Sequence, residues 1–174
     1  MATARTDLLT LEEFRERYAE EKPYYEYWFG EAIQKSVPTV LHALLVKILL
    51  FALDQAGYES GPEVELRVDA NWQPKADVAA WTEIEGAYPT RPVDVVAEVL
   101  SPEDRMQRVI AKCRQYERIG VRSIFVMDPE SHDAWEWRGG NLERISAMLL
   151  ANGNRIAIAD LWTELDRRSS SKKT

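Results

Sequence analysis

The stretch PVDVVAEVLSPEDR, residues 92–105, reads as a β-strand running into a helix, with one acid where a strand should be apolar. The two-residue period sends Val93, Val95, Ala97 and Val99 to one face and Asp94, Val96, Glu98 and Leu100 to the other. Both faces are largely apolar, which suits a central strand covered on both sides. An ionised carboxylate at Glu98 is then costly unless an arginine, a hydrogen-bond cluster or a metal ion compensates it. Glu98 lies two residues from the strand's C-terminal end, where ligand crevices open in α/β sheets. Asp94, near the start, reads as a solvated edge. Ser101 as N-cap, Pro102 at the first helical position and the acids Glu103 and Asp104 beside the positive end of the dipole predict a helix. It runs to about Ile119, where Gly120 stops it.

Working outward, TLEEFRERYAEE carries a capping-box start, Thr10 followed by Glu13. YYEYWFG and EAIQKS form a hairpin about Gly30. Pro38 opens a long helix that Gly57 ends, and PEVELRV and ADVAAW supply two strands before the opening stretch. VRSIFVMDP is a strand, AWEWRGGNLERISA a hairpin turning at Gly139–Gly140, and DLWTEL a short closing helix. The order α-ββ-α-βββ-α-βββ-α predicts a mixed central sheet flanked by helices, α/β and bordering on α+β. It is expected to be a single domain over residues 1–166, followed by a disordered basic tail at 167–174.

The chain of 174 residues, 45% hydrophobic and 29% charged, is composed like a folded soluble domain. No apolar run approaches a membrane span, and MATARTDLLT lacks the apolar region of a signal peptide, so a cytoplasmic protein with no membrane partner is expected. One cysteine, Cys113, excludes an internal disulfide framework and a cysteine zinc site; it lies on a core stripe as a small hydrophobe. The four cations and no acid of residues 167–174 leave the other residues at −11, against −7 for the chain. So acidic a body has no global field for nucleic acid, and any such contact must use local basic patches or metal ions.

Asp77 interrupts ADVAAW much as Glu98 interrupts its strand. Two carboxylates from neighbouring strands at one rim would form an oxygen-rich site suited to Mg²⁺ or Mn²⁺; the plainer alternative is that each is half exposed or paired with an arginine. On the following helix, Met106, Val109, Ile110, Cys113 and Tyr116 make the core stripe. Arg105, Arg108 and Lys112 fall just beside it. Lys112 can lean toward the strand and stabilise charge there, or it can extend along the surface to an acid. Trp135 and Trp137 share a strand face and read as packing or a dimer patch sooner than as a base-stacking platform. His132, in a turn, carries no chemistry.

Taken together, the pieces resemble the PD-(D/E)XK nuclease superfamily, and more narrowly the Uma-two type of restriction endonucleases. The resemblance rests on TLEEF, on KPYYEYWFGEAIQ with Glu26, Gly30 and Glu31, and on His42 near the start of the long helix. It continues through ADVAAW and VVAEVLSP to the spaced Lys112, Tyr116, Gly120 and Val121, covering roughly Leu11 to Trp137. It implies a restriction-endonuclease-like core and a Mg²⁺-dependent endodeoxyribonuclease. Asp77, Glu98 and the Val99 carbonyl would hold the metal, and Lys112 would assist the attacking water. Glu31 would be an accessory acid, His42 a group behind the metal or beside the phosphate, and Arg105 and Arg108 contacts to DNA. The superfamily's lysine two residues after the glutamate is Leu100 here, and Lys112 from the helix replaces it. Ala76 stands for the usual proline, and Arg108 for an aspartate common in relatives. A homodimer would supply the two sites that cutting both strands requires. The alternative is a nuclease-fold module with little or no catalysis, acting in nucleic-acid binding or protein interaction.

Overall fold

The computed structural model describes residues 8–170. Its centre is β6 (Val95–Val99), every residue of which is buried. It pairs antiparallel with β5 (Lys75–Trp81) and parallel with β7 (Ser123–Asp128). The parallel pairing requires a crossover, which α3 (Met106–Ile119) supplies. With β3 (Glu59–Glu65), β8 (Asp133–Arg138) and β9 (Asn141–Arg144), the sheet has the order β3-β5-β6-β7-β8-β9. The fold is therefore mixed α/β about one central sheet.

Two apolar layers cover that sheet because its central strands alternate between them. Val95, Ala97 and Val99 pack with Val78 and Phe125 against α2 (Val40–Gln55) and α4 (Ile158–Ser170). Leu45, Leu49 and Leu53 of α2 are spaced by one helical turn and fully buried there. On the opposite face Val96 and Ala79 meet Val109, Cys113 and Tyr116 of α3, with Trp135 and Trp137 packed into the same cluster. A second sheet, of order β2-β1-β4, is built from the hairpin β1 (Tyr25–Trp28) and β2 (Glu31–Gln34) plus the short β4 (Trp72–Gln73). Within it Trp28 meets Trp72 edge-on, with ring centroids 5.9 Å apart, and the sheet docks on α3 through Trp72 and Tyr116, 5.0 Å apart. The helix α1 (Leu11–Tyr18) begins with the Thr10–Glu13 capping box.

Three expectations are corrected. The helix predicted from Ser101 starts only at Met106, after Arg105 as N-cap without a side-chain cap. Residues 101–104 instead close a turn. The Asp104 N–H donates to the Ser101 carbonyl at 2.9 Å, and the Asp104 carboxylate accepts from the Ser101 N–H and the Ser36 hydroxyl. The Ser101 hydroxyl lies against His42 and the Asp104 carboxylate is taken by Ser36 and the Ser101 N–H, so neither caps α3, and Met106 lies exposed rather than on the core stripe. Second, the chain after Ser146 forms a further hairpin, β10 (Ala147–Leu149) with β11 (Arg155–Ala157), ahead of α4. Third, α4 is longer than DLWTEL and includes residues 167–170, assigned above to a disordered tail, with Arg167 and Arg168 bonded to Glu164. Residues 171–174 of that segment lie outside the described residues. His132 ties its turn to α4 by stacking on Trp162 and approaching Asp166 at 3.4 Å.

Among the described residues no helix is long and apolar enough to cross a membrane. The stop of α3 depends on backbone freedom. Gly120 has φ 96°, and a Cβ there would lie 3.2 Å from Pro92 Cγ. Gly120→Ala is expected to cost about 1–2 kcal/mol, measured as a lowered urea midpoint with unchanged slope.

Candidate functional site

A cleft opens beside the ends of the central strands. Asp77, Glu98, Val99 and Lys112 line it, together with His42 and Arg108. Strand register creates its central problem. The pairing of Val78 with Ala97 sets Asp77 opposite Glu98, and the pairs Pro62–Val78 and Val64–Ala76 set Glu63 opposite Asp77 on the other side. Three acids therefore form one row across β3, β5 and β6, and like charges directly opposite one another repel.

Two lysines hold the row together. The Lys35 ammonium lies 2.7 Å from Asp77 Oδ1 and 2.9 Å from Glu63 Oε2. The Lys112 ammonium lies 2.9 Å from Glu98 Oε2 and 2.7 Å from Glu26 Oε1. Neutral donors fix the other oxygens. The Val99 N–H donates to Asp77 Oδ2 at 2.9 Å, and the Tyr116 hydroxyl donates to Glu98 Oε1 at 2.6 Å. His42 approaches Asp77 Oδ1 at 3.9 Å through Nε2, and its Nδ1 lies 3.2 Å from the Ser101 hydroxyl. Asp77 and Glu98 are only 5% and 7% exposed, so the pairing is solvent-poor and strong.

The two carboxyls respond oppositely to this environment. Burial opposes ionisation of Asp77, but Lys35 and then Lys112 outweigh it and bring the pKa to about 2. Glu98 is pushed up to about 7, first by burial and then by Asp77 and Glu26, with only partial relief from Lys112. Lys112 itself is raised, because Glu26 and Glu98 overcome the effect of burial. Asp77 is lowered by both lysines, whereas Glu98 must ionise beside Asp77 and Glu26, which already share Lys112 with it. The Cys113 thiol, beside Lys112 in sequence but turned into the core, is pushed up to about 12 by burial, and so is no nucleophile near neutral pH.

A pH dependence follows for the metal-free protein. Between about pH 4.5 and 7 the folded chain keeps the Glu98 proton that the unfolded chain has released. Stability contributed by this group therefore falls as pH rises through that window and is constant above it. Urea titrations in EDTA should show Glu98→Gln removing a decline of about 2–4 kcal/mol. An identical pH profile in the variant would sink this account.

Two residues named from sequence are not in the cleft. Glu31 lies exposed at the turn end of the hairpin, opposite Trp28 in register. The hairpin's buried acid is Glu26, 3% exposed, which accepts from the Lys75 N–H at 2.8 Å besides pairing with Lys112. Arg105 is exposed at the start of α3 and does not line the cleft, whereas Arg108, one turn before Lys112, does. Glu26 had the same signal as Glu98, an acid within an otherwise apolar short strand. Lys35 and Glu63 had none, since their roles depend on pairing across the sheet.

The sequence profile of Uma2, a family described as "Putative restriction endonuclease", matches residues 11–164. The chain belongs to the Uma2 family. Its fold is similar to the crystal structure of a putative nuclease belonging to DUF820 from Anabaena variabilis ATCC 29413. The TM-score is 0.74 at 20% identity, covering 90% of this chain and 99% of that one. The architecture is therefore restriction-endonuclease-like, as the sequence resemblance implies. A weaker likeness, TM-score 0.41 at 15% identity, is to a cryoEM structure of a DrdV–DNA complex, covering 71% of this chain and 11% of that one. No curated protein matches the chain significantly. The Uma2 membership and the fold together support a nuclease.

Proposed function

We propose that this Uma2 chain is a Mg²⁺- or Mn²⁺-dependent endodeoxyribonuclease whose chemistry centres on Asp77, Glu98 and Lys112. The observation that carries the reading is the charge of the cleft. Within their ion-paired cluster Glu26, Glu63, Asp77 and Glu98 share the two ammonium groups of Lys35 and Lys112, so with every carboxyl ionised two negative charges remain in excess, Glu63 standing at the partly exposed edge. A divalent cation held between Asp77 and Glu98 would balance that excess and favour the ionised form of Glu98. Among the described residues no three His, Cys, Asp or Glu side chains form a ready cage. Two carboxylates with the Val99 carbonyl suit Mg²⁺, which commonly keeps several waters and takes substrate oxygens.

Mg²⁺ held there would polarise a phosphate oxygen and lower the pKa of a water. The protein's own groups do the rest. Lys112, fixed by Glu26, orients the attacking water and balances charge building on the phosphoryl group. The Tyr116 hydroxyl and the Val99 N–H hold Glu98 and Asp77 in their orientations. Arg108 at the cleft wall draws in the DNA phosphates that the acidic body otherwise repels. His42 braces Asp77 through the Ser101 contact. A homodimer would present the two sites needed for double-strand cleavage.

The test is cleavage of plasmid and single-stranded DNA in Mg²⁺ or Mn²⁺, with EDTA and Asp77→Ala as blanks. Metal-dependent cutting by the wild type alone is the expected result. Cutting that survives Asp77→Ala comes from a contaminant. No cutting of any substrate favours a nuclease-fold module that binds nucleic acid or protein without catalysis.

A further inference from the structure

Lys35 is the cation of the cleft that the proposed chemistry leaves without a task. It follows the last residue of β2, and its ammonium also donates to the Lys75 carbonyl at 2.8 Å. Its side chain is 12% exposed and forms part of the cleft wall. The oxygen it holds, Asp77 Oδ1, is the one that Val99 leaves open. A divalent ion bound through that oxygen must compete with the ammonium.

Glu63 supplies a place for the ammonium to go. Both of its oxygens accept from Lys35, at 3.0 and 2.9 Å. Its backbone is left-handed within a strand, at φ 54°. A non-glycine residue in that conformation is strained, and such strain gathers at functional sites. The ammonium can thus release Asp77 and still keep Glu63 and the Lys75 carbonyl, without entering an apolar environment.

We propose that Lys35 is a built-in placeholder for the divalent ion: it neutralises Asp77 in the metal-free protein, competes with the ion for Asp77 Oδ1, and retires onto Glu63 when the ion binds. This rests on the metal-site reading above and deepens it. The placeholder relieves the repulsion along the row of acids before metal arrives. It also sets the affinity for the ion below what the carboxylates alone would give, because binding must first break the Lys35–Asp77 pair.

The decisive variant is Lys35→Met combined with Glu63→Gln. It deletes one charge of each sign, so any change in affinity is not a change in the cleft's net charge. Binding of Mn²⁺ to the full chain is read by electron paramagnetic resonance of the free ion, with circular dichroism to confirm the fold. The double variant is expected to bind Mn²⁺ about tenfold or more tightly than the wild type. Should it not fold, Lys35→Gln combined with Glu63→Gln, which likewise deletes one charge of each sign, carries the same expectation. Equal or weaker binding by a folded variant, with wild-type binding intact, overturns the placeholder and leaves the metal site standing. Absence of Mn²⁺ binding in wild type and variants alike removes the metal site and the placeholder with it.

Discussion

Lys112→Met is expected to lower folding stability by about 3–5 kcal/mol and to abolish DNA cleavage. The methionine preserves most of the aliphatic stem but removes the one ammonium shared by Glu26 and Glu98, at 2.7 and 2.9 Å. Both carboxylates are then buried with reduced compensation, and this residual penalty dominates the loss. Chemical denaturation measures it. The attribution is checked by adding Glu26→Gln, which removes one of the stranded charges. The double variant should recover a substantial part of the stability but none of the cleavage, because the group that orients water is still missing. Full additivity of the two substitutions would show that Lys112 and Glu26 are not energetically joined.

Glu26→Gln and Glu31→Gln, two acids of one hairpin, are expected to behave very differently. Glu26 is buried, accepts the Lys75 N–H and holds Lys112. Its amide substitute should cost about 2–4 kcal/mol and reduce cleavage roughly 10–100-fold, as is common when the support of a catalytic group is lost. Glu31 is exposed, so its substitution should stay within about 0.5 kcal/mol in stability and leave cleavage at the wild-type rate. Paired urea titrations and cleavage rates decide it. Loss of activity on changing Glu31 would return that residue to the site.

The comparison of these two acids shows how far the linear sequence carries. An acid inside an apolar strand announces a buried charge, and that signal located Glu98 and would equally have located Glu26. It cannot tell which of the two acids reaches the cleft, because Glu26 and Glu31 stand on one face of the hairpin and differ only in their distance from its turn. The tertiary packing decides it: the small sheet docks on α3 through Trp72 and Tyr116, with Glu26 paired to Lys112 and Glu31 left exposed at the turn.

Helix ends show the same boundary. The start of α1 was legible because Thr10 and Glu13 satisfy one another locally, within a single turn. The start of α3 was not. Ser101 and Asp104 have the composition of a cap, yet their polar atoms answer to His42 and Ser36, which are remote in sequence.

By itself the sequence determined the central strand covered on both faces, the presence of a helix after it, and the family to which the chain belongs. Each of these rests on periodicity or on a local run of residues. Only the tertiary structure decided that Glu63, Asp77 and Glu98 stand in one row, that Lys35 and Lys112 divide it between them, and that Glu26 rather than Glu31 reaches the cleft. The physical reason is that charge compensation in a low-dielectric interior depends on distances of a few ångströms between residues far apart in the chain. Strand register and packing set those distances, and neither is written in the spacing of residues along the sequence.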